Sequence, residues 1–208
     1  MNILSDKIEF PTVDQASEDG LLAIGGDLSP ERLTLAYKNG IFPWFEDGQP
    51  ILWWSPDPRF VLFPEKLKIS KSLKQVIKKN TFRITINKAF DKVIHECSKT
   101  KRSGQSGTWI THDMISAYIR LHELGFALSV EVWDKDNLVG GLYGIDVGND
   151  IFCGESMFSK VSNASKLGFV SFIQNSNYKL IDCQVYTKHL QNLGAEKISR
   201  TEFMNIIN

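Results

Sequence analysis

The chain has 208 residues, of which 42% are hydrophobic and 23% charged, an ordinary balance for a globular protein with one or two cores. No apolar run approaches the roughly 18 residues that a membrane helix needs, and the N-terminal sequence lacks the pattern of a secretory signal. Three widely spaced cysteines suit a reducing compartment and show no metal-binding spacing. We therefore expect a cytoplasmic protein without a structural metal.

The net charge of zero hides an uneven distribution along the chain. Residues 1–65 carry 4 Lys and Arg against 11 Asp and Glu, residues 66–102 carry 12 against 2, and residues 103–208 carry 8 against 11. A basic block in an otherwise acidic chain indicates a polyanionic partner. A solvated lysine-rich face would have the same composition, so charge alone leaves both interpretations open.

The first sixty residues contain one predicted helix and one unusual segment. Residues 1–28 are expected to be irregular. A helix is predicted to begin at Ser29-Pro30, because Ser is a favoured N-cap and Pro a favoured first helical residue, and to end at Gly40. Residues 41–64 hold five prolines and three tryptophans. That composition argues against a regular helix or a central strand and predicts an ordered, aromatic-lined loop or edge segment.

A helix with a basic face follows the proline-rich segment. Ser70 is its predicted N-cap, and apolar side chains on one face are expected to point inward. Lys71, Lys74 and Lys78 share another face at helical spacing. If the basic block binds a nucleic acid, these three lysines are its candidate phosphate contacts.

The second half of the chain alternates helices and strands after a polar stretch at residues 99–108. This stretch is predicted to be a mobile loop, and we place a domain boundary in it, between residues 102 and 103. The patterns predict an α+β fold with an antiparallel sheet and packed helices. Before this stretch the patterns predict a strand at 83–87 and a helix at 88–97. After it they predict strands at 126–133, 138–147 and 179–185, with a strand end at 151–153, and helices at 111–124, 163–174 and 187–193.

Aromatic side chains beside the basic block are candidates for base stacking. Trp53 and Trp54 lie in the proline-rich segment, and Trp109 follows the polar stretch. Aromatics on loops suit stacking on unpaired bases, such as those of the 3′ tail of a tRNA, although each ring could instead be buried in the core. Asp182 and Gln184 project from one face of a predicted strand, as a catalytic pair or a structural one.

Glycines and one glutamate complete the candidate positions. The chain contains no GxGxxG, GxxxxGK[ST] or GxSxG motif. The run Gly140 to Gly144 lies in a strand pattern, where glycines indicate simple sheet packing, a bulge or a close backbone approach of a ligand. Glu155 ends the next predicted strand, where its carboxylate could accept a cationic ligand.

Long strings of this sequence resemble the leucyl/phenylalanyl-tRNA–protein transferase family over nearly the whole chain. They include GLLAIGGDLSPERLTLAYKNGIFPWF (20–45), PILWWSPDPRFVL (50–62), AYIRLHELGFALSVEVW (117–133), FCGESM (152–157) and IDCQ (181–184). The resemblance implies a small N-terminal domain and a C-terminal domain similar to the GCN5-related N-acetyltransferases. It also implies transfer of leucine or phenylalanine, and less well methionine, from tRNA to proteins with N-terminal Arg or Lys, which marks them for N-degron degradation. No metal or cofactor is implied.

The resemblance also assigns roles to individual positions. By position in these motifs, the terminal adenosine would be surrounded by Trp53, Trp54 and Trp109. The pocket for the donor side chain would be lined by Leu142, Met157, Phe169 and Phe172. Glu155 would bind the acceptor or an amino group, and the reaction centre would contain Asp182 and Gln184. Methionine is common in the family at the position of Leu142, and leucine at that of Phe169. The preference among Leu, Phe and Met donors therefore stays open.

Two other functions fit parts of the sequence. An acyl-CoA-dependent N-acyltransferase would need the R/Q-x-x-G-x-G/A signature, which is absent near residues 162–169. A non-enzymatic tRNA-binding module would leave the Gly-Glu-Ser and Ile-Asp-Cys-Gln motifs unexplained. For the transferase we expect direct attack of the acceptor amine on the ester. Asp182 would orient the amine and Gln184, and it could also receive a proton. Gln184 would either accept a hydrogen bond from the amine or donate one to the developing negative charge. Alternatively, the ribose 2′-hydroxyl protonates the leaving oxygen, and Asp182 is mainly structural.

Overall fold

The computed structural model describes residues 2–100 and 108–208, and the α+β class is confirmed by its elements. The predicted domain boundary and most of the predicted loop at residues 99–108 lie outside the described residues. The strands are β1 (Asn2–Leu4), β2 (Leu21–Gly25), β3 (Phe42–Pro43), β4 (Leu52–Trp54), β5 (Arg59–Leu62), β6 (Arg83–Ile86), β7 (Ala127–Asp134), β8 (Asn137–Gly148), β9 (Ile151–Ser159), β10 (Leu180–Gln184) and β11 (Glu196–Ile198). The helices are α1 (Pro30–Lys38), α2 (Lys71–Lys79), α3 (Phe90–Ser98), α4 (His112–Glu123), α5 (Ala164–Gln174), α6 (Lys188–Asn192) and α7 (Arg200–Ile207).

The strands of the described residues form two sheets. The smaller sheet has the order β1-β2-β4-β3, with β1 parallel to β2 and antiparallel pairs elsewhere. The larger sheet has the order β11-β5-β10-β9-β8-β7-β6. In it only β9 and β10 run parallel, and every other pair is antiparallel. The junction between β9 and β10 therefore differs in strand direction from every other junction described in this sheet.

Side-chain caps place the starts of the helices where the sequence predicts them. Ser29, Ser70 and Thr111 each accept a hydrogen bond from the backbone N–H three residues further on. Each bond satisfies one N–H group that has no partner inside its helix. Gly40 follows α1 at a φ of 69°, which suits a glycine at a helix end. The predicted helices at 29–40 and 111–124 are thus confirmed within a few residues, and α5 confirms the helix predicted at 163–174 without such a cap.

Helices cover both faces of the larger sheet. A Cβ atom on Gly140 would lie 2.6 Å from the Cβ of Ala164 in α5, whereas one on Gly141 would lie 3.3 Å from the side chain of Val93 in α3. Since successive residues of a strand point to opposite faces, α5 and α3 lie on opposite sides of the sheet. A Cβ on Gly144 would lie 2.1 Å from the carbonyl oxygen of Cys153. The glycines of β8 thus serve close sheet and helix packing.

Two sequence expectations about the first 64 residues are wrong. Residues 1–28 are not irregular, because β1 and β2 form a parallel pair there. The proline-rich segment 41–64 contains two interior strands, since β4 lies between β2 and β3 and β5 lies between β10 and β11. Pro56 and Pro58 fall in the connection between β4 and β5. Short strands of three or four residues fit between the prolines without losing ladder hydrogen bonds.

The sequence also missed structure in the last sixty residues. Strand β9 was expected to end near Cys153 and continues to Ser159. The polar motif at 154–156 suggested an end, but Glu155 is buried by specific hydrogen-bond partners. Strand β11 and helix α7 were not predicted. Helix α7 packs its apolar face, including Phe203, against side chains of β11, β5, β10 and β9 in the larger sheet.

Strands from the first 102 residues belong to both sheets. Strands β5 and β6 precede the predicted boundary, yet both belong to the larger sheet. The first 102 residues therefore contribute to both sheets, and the division at residue 102 stays a prediction. Among the described residues, each helix is too short or too polar to reach across a bilayer.

Candidate active site

A cavity of about 410 Å³ opens where the two parallel strands separate. The pairing of β10 with β9 ends at Asp182 and Cys153, while β9 continues to Ser159. The wall of the cavity is built from residues 154–159 of β9 on one side and from residues that follow β10 on the other. The part of β9 beyond Cys153 therefore has no pairing with β10, and the cavity lies beside it.

Three of the four predicted pocket residues line this cavity. Leu142 from β8, Met157 from β9 and Phe169 from α5 converge on it. Phe172 is not among the described residues that form the cavity wall. Its ring packs edge-on against that of Phe152, with the ring centres 4.7 Å apart. The structure therefore gives the cavity an apolar wall and places Phe172 in the core beside it.

Glu155 brings a carboxylate to the same cavity and is only 9% exposed. Its Oε1 accepts hydrogen bonds from the Tyr37 hydroxyl at 2.8 Å and from Gln184 Nε2 at 2.6 Å. Its Oε2 accepts a hydrogen bond from the Tyr118 hydroxyl at 3.2 Å. The two tyrosine hydroxyls also make a short hydrogen bond with each other. Glu155 is thus fixed by side chains from α1, α4 and β10.

Burial raises the pKa of Glu155 to about 7. Hydrogen bonds from Tyr37, Gln184 and Tyr118 oppose this rise, and the nearby Asp182 carboxylate adds to it. Burial also raises the pKa of both tyrosines well above the usual range, so their hydroxyls stay protonated. Glu155 is therefore a carboxyl group that exchanges its proton near neutral pH.

Asp182 is held in a buried ion pair. It is not among the described residues that form the cavity wall. Arg59 Nε donates to Asp182 Oδ1 at 2.9 Å, and Nη2 donates to Oδ2 at 2.7 Å. Oδ1 also accepts a hydrogen bond from the backbone N–H of Gln184 at 2.9 Å, and Oδ2 accepts one from the thiol of Cys153 at 3.3 Å. The Arg59 guanidinium lies over the rings of Phe42 at 4.8 Å and Phe203 at 4.6 Å. Asp182 thus anchors the end of β10.

Gln184 has a backbone conformation that is unusual for a residue with a side chain. Its φ is 62°, and the N–H of Val185 donates to the carbonyl of Cys183 at 2.7 Å, which closes a tight turn around it. The pairing register with β5 also shifts between Asp182 and Gln184. Such a turn is strained and persists only where the surroundings enforce it, as the hydrogen bonds of Asp182 and Glu155 do here.

A cysteine and a histidine on the cavity wall bear on covalent catalysis. Cys183 Sγ points at the carbonyl of Ile181 at 3.7 Å, and burial raises the pKa of its thiol. Burial lowers the pKa of His189, so the imidazole is mostly neutral. A buried thiol with a raised pKa is a poor nucleophile. This chemistry disfavours a covalent intermediate on Cys183.

The predicted adenosine residues lie in two different environments. Trp54 and Trp109 line a second cavity of about 310 Å³, which they share with Trp44. The Trp54 indole donates to the carbonyl of Trp44 at 2.7 Å. Trp53 has no exposed surface, donates to the carbonyl of Gly25 at 2.8 Å and packs in the core, so its ring offers no face to a base in this structure.

The three candidate phosphate contacts are exposed on one helix. Lys71, Lys74 and Lys78 project from α2 into solvent, whereas Leu73 of the same helix is buried. The helix packs against α5, which also carries Phe169 of the first cavity. The lysines are free to meet a polyanion on the face opposite that packing.

Sequence reasoning missed the side chains that hold the carboxylates. Tyr37, Tyr118 and Arg59 come from α1, α4 and β5, far from the carboxylates in the chain. Arg59 left a signal, because it is the one charged residue in the apolar run Arg59–Phe63. The tyrosines left none, since each continues the apolar stripe of an amphipathic helix.

Comparisons with known proteins agree over the whole chain. The model of the leucyl/phenylalanyl-tRNA protein transferase family matches residues 61–208, and the model of its N-terminal domain matches residues 26–57. A protein of that name from Flavobacterium johnsoniae is 58% identical over 100% of this chain and 99% of its own length. Proteins of the same name from Flavobacterium psychrophilum and Christiangramia forsetii are 56% and 54% identical over 100% of this chain and 99% and 100% of their own lengths.

Two solved structures align with parts of the chain at low sequence identity. A conserved protein of unknown function from Bacteroides thetaiotaomicron has a TM-score of 0.50 and 10% identity, covering 73% of this chain and 55% of its own. A GCN5-related N-acetyltransferase from Kribbella flavida has a TM-score of 0.40 and 9% identity, covering 78% and 58%. The extent and identity of the sequence matches decide the assignment: the chain is a transferase that belongs to the leucyl/phenylalanyl-tRNA protein transferase family.

Proposed function

We propose that this enzyme transfers leucine or phenylalanine, and less well methionine, from aminoacyl-tRNA to the α-amine of proteins that begin with Arg or Lys. The product is a new peptide bond, and the modified protein enters the N-degron route of degradation in the cytoplasm. No metal or cofactor takes part. The proposal rests on family membership and on one structural observation, the apolar cavity with a carboxylate in its wall.

The cavity matches the chemistry of an aminoacyl donor. Leu142, Met157 and Phe169 provide apolar surface for a leucine or phenylalanine side chain. A charged side chain would lose its hydration there without compensation, so it would be excluded. Glu155 can accept hydrogen bonds from an amino group of the substrate. We assign the terminal adenosine to Trp54 and Trp109, with Trp53 supporting the strand of Trp54 from the core.

Direct attack of the acceptor amine on the ester is the proposed reaction. The ester is already activated, and a free α-amine has a pKa near 7.7–8.0, so part of it is neutral at cellular pH. Positioning then supplies much of the rate. Asp182, held by Arg59, fixes the backbone of Gln184, whose amide can hydrogen-bond the developing charge.

The proposal is tested by a transfer assay with radiolabelled Leu-tRNA and a peptide that begins with Arg. We expect labelled peptide from purified protein without added metal or ATP. A matched peptide with an acetylated N-terminus should remain unlabelled, because it lacks the attacking amine. Label on the acetylated peptide, or none on the Arg peptide, would refute the proposal.

The basic face of α2 predicts a salt-sensitive contribution to tRNA binding. Replacing Lys71, Lys74 and Lys78 together by glutamate should weaken tRNA binding at least tenfold at low salt. If each lysine meets one phosphate, the slope of log affinity against log salt should fall by about 2–3. Use of a minimal aminoacyl-adenosine donor should change much less, because that donor has no acceptor stem.

A matched control changes the same number of charges outside the basic block. Lys38, Lys135 and Lys179 are exposed, and replacing them by glutamate should leave the salt slope unchanged. If both triple variants weaken tRNA binding equally, α2 has no special role.

Stacking on Trp109 predicts a change in donor binding. Trp109→Ala should raise the KM of a minimal aminoacyl-adenosine donor about ten- to a hundredfold, because a base–aromatic stack is worth about 1–3 kcal/mol. Trp109→Phe keeps an aromatic face, so its KM for this donor should stay close to that of the wild type. An unchanged KM in the alanine variant would return Trp109 to a purely structural role.

A further inference from the structure

Resting on the proposed function, we propose that Glu155 is the group that accepts the proton of the attacking amine, and that Tyr37 and Tyr118 are positioning residues that prepare it for this proton. The sequence motifs point to Asp182 for this task. The arrangement of hydrogen bonds assigns it instead to the glutamate on the cavity wall.

Access separates the two carboxylates. Glu155 lines the cavity, whereas Asp182 has no exposed surface and does not contribute to the described part of the wall. Both oxygens of Asp182 are bound by Arg59, and each also contacts another donor. These four donors occupy the roughly four acceptor positions of the Asp182 carboxylate, which leaves none for a substrate amine.

Glu155 retains capacity for another donor. A carboxylate has about four acceptor positions. Three donors use them here, namely Tyr37 and Gln184 on Oε1 and Tyr118 on Oε2. Oε2 therefore keeps one position for an N–H group of a substrate amine.

The two tyrosines form a triangle with Glu155 that lacks one hydrogen. Three oxygen–oxygen contacts join the Tyr37 hydroxyl, the Tyr118 hydroxyl and the carboxylate, but the two hydroxyls supply only two hydrogens. A proton on Glu155 supplies the third. The acid can then donate to Tyr118, Tyr118 to Tyr37, and Tyr37 to Oε1, which completes a closed ring of hydrogen bonds. The site is therefore built to hold the protonated form as well as the charged one.

The charged and titratable groups around Glu155 support the same conclusion. Burial raises the pKa of Glu155 to about 7, near the pH at which a base works best. The groups that face it or act on it through a neighbour are Tyr37 of α1, Tyr118 of α4, Tyr143 of β8, Cys153 of β9, Asp182 of β10 and, through Asp182, Arg59 of β5.

The proton balance of the step is closed. The neutral amine nitrogen forms a bond to the ester carbon while one of its protons passes to Glu155. The bond between that carbon and the 3′ oxygen then breaks, and the same proton passes to the leaving oxygen. The products are an amide and a free 3′-hydroxyl, and the Glu155 carboxylate is regenerated without any other reactant.

The test is the pH dependence of the transfer rate at saturating Leu-tRNA and Arg peptide. In the wild type we expect two ionisations on the acidic side, one from the acceptor amine and one from Glu155. Glu155→Gln should lower the rate about 10²- to 10⁴-fold and leave only the amine ionisation. Tyr118→Phe should move the Glu155 ionisation to higher pH, because a hydrogen bond that favours the carboxylate is lost. A purely structural tyrosine would not move it.

Two controls separate this role from general effects on folding. Glu131 is also a buried glutamate, but it accepts from Ser129 and from the start of α3, away from the cavity. Glu131→Gln should keep both ionisations even if it lowers stability. In substrate-free protein with ¹³C-labelled glutamate, one carboxyl signal should titrate near pH 7 and be missing from the Glu155→Gln spectrum alone.

The outcomes distinguish this inference from the proposed function. An active wild type whose two ionisations survive in Glu155→Gln would overturn the inference and leave the proposed function intact. Loss of the second ionisation in Asp182→Asn or His189→Asn instead of Glu155→Gln would overturn it as well. A folded wild type that transfers nothing would overturn both.

Discussion

Replacing Arg59 by leucine should lower the free energy of unfolding by about 3–5 kcal/mol, the cost of leaving a buried charge unpaired. The guanidinium is 1% exposed and its Asp182 partner 0%. Leucine also removes the contacts of the guanidinium with the rings of Phe42 and Phe203. Since these rings come from β3 and α7, the change loosens the junction of both sheets with the last helix. Urea unfolding at neutral pH measures the effect.

A double variant and a surface pair serve as controls for the Arg59 prediction. Arg59→Leu combined with Asp182→Asn removes both charges of this pair, so neither is left buried without its partner and a clear part of the lost stability should return. Arg120 and Glu123 form an exposed pair at 2.8 Å, and Arg120→Leu should change stability by less than about 1 kcal/mol. Equal losses for Arg59→Leu and Arg120→Leu would contradict the role given to the buried pair.

Removing the Gln184 side chain should lower kcat about 100-fold or more, the usual effect of losing one hydrogen bond to a developing charge. Gln184→Ala and Gln184→Gly both delete the amide that contacts Glu155. Of the two replacements, glycine adopts a φ of 62° without strain and alanine does not, so the glycine variant should be the more stable one by about 1 kcal/mol. Comparing kcat with thermal stability in the two variants separates catalysis from backbone strain.

The two Gln184 variants have a result that would count against the assignment. If kcat recovers in the glycine variant together with stability, the backbone conformation matters and the side chain does not. Equal loss of kcat in both, with near-normal tRNA binding, supports the proposed role of the amide.

Local signals explain which elements the sequence could predict. Helix starts were found because Ser29, Ser70 and Thr111 satisfy backbone N–H groups a few residues away, and such bonds depend only on neighbouring residues. Strands β4 and β5 were missed because their places are decided by partners far along the chain. Proline content describes the segment that contains them but says nothing of those partners.

In the candidate site, too, local motifs could be predicted from the sequence, whereas contacts between distant residues could not. The motifs indicated Glu155, Asp182 and Gln184, but their chemistry depends on side chains from other elements. Arg59 neutralises Asp182 from a strand more than a hundred residues earlier, and Tyr37 holds Glu155 from the first helix. No sequence pattern relates these distant positions, so the difference between the two carboxylates appears only in the folded protein.

Phe169 and Phe172 show the limit of carrying roles over by position. Both were assigned to the donor pocket, and both lie in α5. A step of three residues moves Phe172 about 4.5 Å along the helix axis, beyond the cavity and against Phe152 and Tyr178. The two phenylalanines are therefore a matched pair, one on the cavity wall and one in the core.

The most direct test of the account measures kcat/KM for Phe-tRNA relative to Leu-tRNA in Phe169→Leu and Phe172→Leu. Both variants lose one ring from the same helix, and thermal unfolding verifies that each remains folded. Phe169→Leu should enlarge the cavity and raise the ratio about tenfold or more, since a small change in an apolar pocket is worth about 1–3 kcal/mol. Phe172→Leu should keep the ratio within about twofold of the wild type. A ratio that stays unchanged in Phe169→Leu, or shifts equally in both variants, would contradict the claim that this cavity selects the donor side chain.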